Sequence, residues 1–245
     1  MLRWRKAELP QDLMIAGRRV PVVAIRRAAA RLVKLKANSV SGCIELSLPP
    51  RGGEDAAAAL LKAHRGWLEE RVARWPLPAP FAPGALVPVD GVPVRIDWRA
   101  DHPRAPLIIG GVLRVGGPLE SLDARIIRAL KARARSDLTA ATMALAAQLG
   151  RPVARVSIGD QASRWGSCAG WNRAGGATIS YSWRLILAPA WVRQSIVAHE
   201  AAHLVHPNHS PAFHALNRQL DSRAGEARRW LARHGAALHW VGRSD

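Results

Sequence analysis

Hydrophobic and polar positions along the first third of the chain are spaced like those of short strands. Val20–Ile25 (VPVVAI), Arg31–Lys36 (RLVKLK) and Cys43–Leu48 (CIELSL) each suit a strand, the second alternating apolar and basic residues as a half-exposed strand does. Pro49-Pro50 stops the third. Residues 1–19 are polar and basic and read as a loose lead-in. Gly52-Gly53-Glu54-Asp55 opens one helix that runs through Arg74. Its buried stripe is Leu60, Leu61, His64, Trp67, Leu68 and Val72, so His64 is expected to be a packed histidine.

Four prolines between Pro76 and Pro83 make that stretch a connector. Two hairpins follow: Leu86–Asp97 turns at Asp90-Gly91, and Leu107–Val115 turns at Gly110-Gly111. Pro88 and Pro93 push the first of these to a sheet edge. A long helix starts at Ser121 and reaches about Leu149. Strands at Val153–Ile158 and Ala177–Leu187 flank a Gly-rich loop, Ala169–Gly176, with Trp171 and Arg173 at its tip. Pro189 suits the first turn of the next helix, where a missing N–H costs nothing. Helices at Pro211–Leu220 and Glu226–His234 close the chain. No internal repeat is evident. The pattern predicts an α+β protein, with a β-rich N-terminal part carrying one helix (1–118) and a C-terminal domain (119–245).

Composition narrows this picture. A 245-residue chain that is 49% hydrophobic can bury a core. No apolar run approaches the ~20 residues that span a bilayer, and the N-terminus lacks the apolar stretch of a secretory signal. Cys43 and Cys168 are too far apart in sequence to suggest a disulfide framework. A cytoplasmic protein with reduced thiols is expected. The net charge of +18 leaves nucleotides, nucleic acid or anionic lipid open as partners, although the basic residues are spread along the whole chain.

The chemistry is concentrated in Val197–His209, VAHEAAHLVHPNH. His199 and His203 lie four apart, one turn above each other on one helix face, where two imidazoles can grip a single metal ion. Glu200 is rotated from His199 by about 100° and can reach a water on that metal. A third ligand is needed, and His206, His209 and Glu226 are the candidates. Pro207 disfavours helix at His206, whereas His209 follows the Pro-Asn turn, six residues beyond His203, and is the expected ligand. Glu226 sits in an Arg-rich, solvated segment. One zinc ion per chain suits three imidazoles.

Three stretches then combine: Arg164-Trp165-Gly166-Ser167-Cys168, Trp183-Arg184-Leu185-Ile186-Leu187-Ala188-Pro189, and HEAAHLVHPNHSPAF. Together they resemble the YgjP-like metallopeptidase family, related to the SprT-like and WLM zinc peptidases. The resemblance implies a zincin-like C-terminal domain, zinc on His199, His203 and His209, and Glu200 as general base. Where the family usually has Asn before the Trp-Arg-Leu run, this chain has Ser182, and its Ala169–Gly176 loop is longer than usual. Arg164 and Trp165 are candidate substrate contacts. The expected activity is peptide hydrolysis by a metal-activated water. Two other readings use the same residues: hydrolysis of a nucleoside triphosphate phosphoanhydride, and a DNA-associated SprT-like protease or binding module.

Overall fold

The computed structural model describes residues 8–170 and 175–244, so the loop-tip residues Trp171 and Arg173 lie outside the described residues. The chain divides into two compact units, Met1–Leu77 and Pro78–Asp245. Both mix strands and helices.

In the first unit β1 (Asp12–Ile15), β2 (Arg18–Arg26), β3 (Lys34–Asn38) and β4 (Cys43–Leu48) form a sheet in the order β1-β2-β4-β3. The central pair β2/β4 is parallel and the outer pairs are antiparallel. Part of the expected lead-in is therefore a hairpin, turning at Ala16-Gly17 with φ of 48° and 73°. Side chains of β4 alternate as a half-buried strand requires: Ile44, Leu46 and Leu48 are buried, Glu45 and Ser47 less so. The expected single helix is two, α1 (Glu54–Ala63) and α2 (Arg65–Ala73), broken at His64 (φ −104°, ψ 20°). Leu61, Leu68 and Val72 are buried. The break turns His64 and Trp67 away from that stripe, and both are exposed, contrary to the expectation for His64.

The second unit opens with β5 (Leu86–Val89), β6 (Val92–Trp98), β7 (Leu107–Ile109) and β8 (Val112–Val115), in the order β5-β6-β8-β7. Its central pair is again parallel and its outer pairs antiparallel, the topology of the first sheet repeated. After α3 (Leu122–Gln148) comes a second sheet of β9 (Val153–Gly159), β10 (Gly166–Ala169) and β11 (Ala177–Ser182), ordered β10-β11-β9, with β10 at one edge. A 3-10 turn at Trp183–Leu187 leads to α4 (Ala190–Ala202), α5 (Pro211–Leu220) and α6 (Ala224–Leu238). The expected strand to Leu187 stops at Ser182 because the five residues after it are buried on all sides in that turn.

Val87, Ile96, Leu113 and Val115 share one core with Ile126, Leu130, Tyr181, Trp183, Val192 and Val197. This common core puts the hairpins in the unit that carries α4, and the boundary expected at 118/119 falls inside it. The hairpin turn is joined to the approach to α4: Asp90 N–H donates to Ile186 O (2.9 Å) and Gly91 N–H to Leu187 O (3.2 Å). The Asp90 carboxylate pairs with Arg133 of α3 and with Arg193 of α4, the latter at 2.5 Å. In the Pro-rich connector, Ala79 N–H donates to Trp240 O (3.1 Å) and Ala79 O accepts from Gly242 N–H (2.8 Å). Among the described residues no helix is long and apolar enough to cross a membrane.

Candidate metal centre

Pro189 is the N-cap of α4, one position before the expected first turn, and its carbonyl accepts from Val192 N–H at 2.9 Å. The last turn of α4 carries His199 and Glu200, and His203 caps it. The chain then turns through residues 203–206, as Pro207 requires, and restarts at Ser210, whose Oγ accepts the Phe213 N–H at 3.3 Å. That reversal brings His209 back over α4. His209 Nε2 and His199 Nε2 are 3.3 Å apart, and one ring nitrogen from each of His199, His203 and His209 lies within 4.8 Å of the others.

Two ligand nitrogens on a tetrahedral zinc with bonds of 2.0–2.1 Å stand about 3.3 Å apart, so the first pair fits such an ion. His203 Nδ1 is 3.0 Å from the carbonyl of His206. A carbonyl only accepts, so this nitrogen carries the proton and Nε2 keeps its lone pair for a metal. His206 thus meets His203 through its backbone carbonyl. Glu226 is paired with Arg223 on the exposed face of α6 (3.1 Å). Phe213 is fully buried beneath the three imidazoles, stacked on His203 at 4.4 Å and edge-on to His199 and His209. Burial, then the neighbouring histidines, push His199 down to about 4, and burial lowers His203 as well. Both are therefore neutral near pH 7 and able to donate to a cation.

Glu200 is 5% exposed. Burial drives its carboxyl up to about 7, against the opposing charge of Arg164 and a hydrogen bond from the Cys168 backbone. It is held against edge strand β10. A Cβ built on Gly166 would stand 2.5 Å from Glu200 Oε1, so only glycine leaves the carboxylate room there.

The family model described as YgjP-like, metallopeptidase domain, matches residues 32–234. The chain belongs to the YgjP-like metallopeptidase family. No curated protein and no solved structure matches it. Membership of a metallopeptidase family implies a metal ion, and the three-histidine group can hold one.

Other residues flagged in this YgjP-like sequence have varied placements. Trp165 lines the cleft beside His199 and Glu200 and packs on His239 with ring centres 5.0 Å apart. Arg164 is exposed and acts on Glu200 through its charge. Ser182 is buried and caps the 3-10 turn, its Oγ accepting Arg184 N–H at 3.4 Å, a task that Asn performs equally well. Burial, then the charge of Glu200, raises the Cys168 thiol to about 11, which keeps it protonated.

Sequence reasoning assigned no role to Arg184, which is pinned on every side. It donates to both oxygens of Asp160 (2.7 and 3.2 Å) and to the carbonyls of Leu238 and Val241 (2.7 and 3.0 Å). This ties the turn before α4 to the end of α6. The run Trp183-Arg184-Leu185 held the signal, since an arginine amid apolar residues needs partners; which partners was not readable.

Proposed function

We propose that this chain is a zinc-dependent peptidase of zincin-like architecture, acting in the cytoplasm on peptide or protein substrates. His199, His203 and His209 hold the ion and Glu200 is the general base. The observation that carries this reading is the convergence of three imidazoles beside a buried carboxylate that makes no ion pair among the described residues.

A zinc ion in that group supplies Lewis acidity toward water and the scissile carbonyl. Glu200 takes a proton from the attacking water as its oxygen bonds to the carbonyl carbon. The same carboxyl returns that proton to the amine nitrogen as the C–N bond breaks, so each turnover consumes one water and leaves Glu200 ionised. Phe213 and the His206 carbonyl hold the imidazole planes, and Gly166 leaves space for the base.

Metal analysis of purified protein tests the ligand set: about one zinc per wild-type chain and a clear loss in His209→Ala are expected. Full retention in that variant would remove His209 from the site. Glu200→Gln is expected to keep zinc and lose at least 100-fold in cleavage of an unfolded protein. Unchanged turnover would sink the general-base role. Phosphate release from nucleoside triphosphates without any peptide cleavage would replace the peptidase reading.

A further inference from the structure

The cleft that reaches His199, Glu200 and His209 continues past them. It encloses about 730 Å³, more than a metal and one scissile bond occupy and within the range of ligand sites. Beyond the triad its walls come from α5 and α6, including Asn217, Arg218 and Arg228. Among the described residues, Glu200 is the sole acid along the lining.

Several arginines of this unit are engaged. Arg184 is bound to Asp160, Arg193 to Asp90 and Asp137, and Arg223 to Glu226 while its guanidinium lies 4.0 Å over Trp191. Arg218 and Arg228 pair with no carboxylate among the described residues. Unpaired surface arginines are ordinary in a chain of net charge +18. These two differ in lining the cavity of the metal centre.

We propose that Arg218 and Arg228 form a carboxylate subsite for the peptide flanking the scissile bond. The inference rests on the peptidase reading and narrows it to substrates bearing an acidic side chain or their own C-terminal carboxylate next to the cleaved bond. Guanidinium groups bind carboxylates through parallel hydrogen bonds. Ile196 and Leu231, also on the lining, offer apolar contact to the rest of the residue.

The test uses zinc-loaded Glu200→Gln full-length protein and fluorescently labelled penta-alanine peptides. One pair has a free or an amidated C-terminus; the other is amidated with Asp or Asn at its centre. Anisotropy is expected to show roughly ten-fold tighter binding of the acidic member of at least one pair, and which pair identifies the carboxylate. In Arg218→Ala/Arg228→Ala on the same background the preference should fall below two-fold with an unchanged melting temperature. Equal binding within both pairs, no binding of any peptide, or a preference that survives the double variant overturns the subsite. Turnover of the same peptides by protein retaining Glu200 separates the two readings. Cleavage at equal rates for acidic and neutral members keeps the peptidase and removes the subsite. Charge-selective binding without cleavage does the reverse.

Discussion

The two four-stranded sheets have the same strand order and the same strand senses, and the second shares its core with α4, which carries His199 and Glu200. Their first hairpins differ at the turn. Ala16-Gly17 and Asp90-Gly91 both have positive φ at both positions, as a two-residue turn matched to strand twist requires. A Cβ on Gly17 would meet nothing within 4 Å, whereas one on Gly91 would meet Pro189 Cγ at 2.7 Å and its backbone at 3.0 Å. Asp12, at the base of the first hairpin, pairs with an exposed Arg19, while Asp90 joins α3 and α4. One topology thus occurs twice, and the turn residues Asp90 and Gly91 join the second copy to α3 and to the start of α4.

The sharpest way to break this comparison is paired substitution at the turns. Gly91→Ala should cost about 2–4 kcal/mol, positive-φ strain plus a clash against the start of α4. Gly17→Ala should cost about 1 kcal/mol, strain alone. Urea unfolding reads both, and equal losses would mean that Gly91 is not a docking contact. A smaller contrast is expected from the carboxylates. Asp90→Asn, which keeps the left-handed turn, should lose about 1–2 kcal/mol with its two guanidinium partners. Asp12→Asn should leave stability unchanged, because an exposed pair is screened by water.

The weakest contrast is in acid. His239 is 5% exposed. Burial, then the charges of Arg184 and Arg243, lower it to about 4 despite Asp160, and its ring packs on Trp165. The unfolded chain protonates this histidine near 6.5, so the second unit is fully stabilised above that pH and loses stability as pH falls from 6.5 to 4. About 1–2 kcal/mol is expected by pH 5. The first unit contains one histidine, His64, and it is exposed. Melting curves at pH 7 and 5 should show the acid-sensitive transition becoming less so in His239→Phe, measured without metal in both proteins. An unaltered pH response would exonerate His239.

The triad was legible because its residues lie within one short stretch, where helical spacing and one proline fix the geometry. Strand β4 was legible for the same reason, its alternation being local. The hairpin at Ala16-Gly17 was hidden because alanine carries no turn signal, unlike the Asp-Gly that marks Asp90-Gly91. The run Trp183–Leu187 was misjudged because a short apolar stretch suits a buried strand and a buried turn equally. Contacts between distant residues were out of reach: Gly166 against Glu200, Arg184 against Asp160, and Phe213 under three imidazoles. So was the unit boundary, since alternation in β5 to β8 shows that the strands bury a face but not which core receives it.

Ala79 bonds to the backbone on both sides of Val241, and Phe81 packs where a side chain on Gly242 would have to stand. The second unit therefore enters and leaves at a single point. That is the geometry of a cassette: a segment with adjoining ends can be spliced into an exposed loop of a host chain without stretching either junction. The same seam makes the last residues structural. Two carbonyls that hold Arg184 lie at its edge, so trimming the chain to residue 237 would remove both acceptors from the turn that leads into α4.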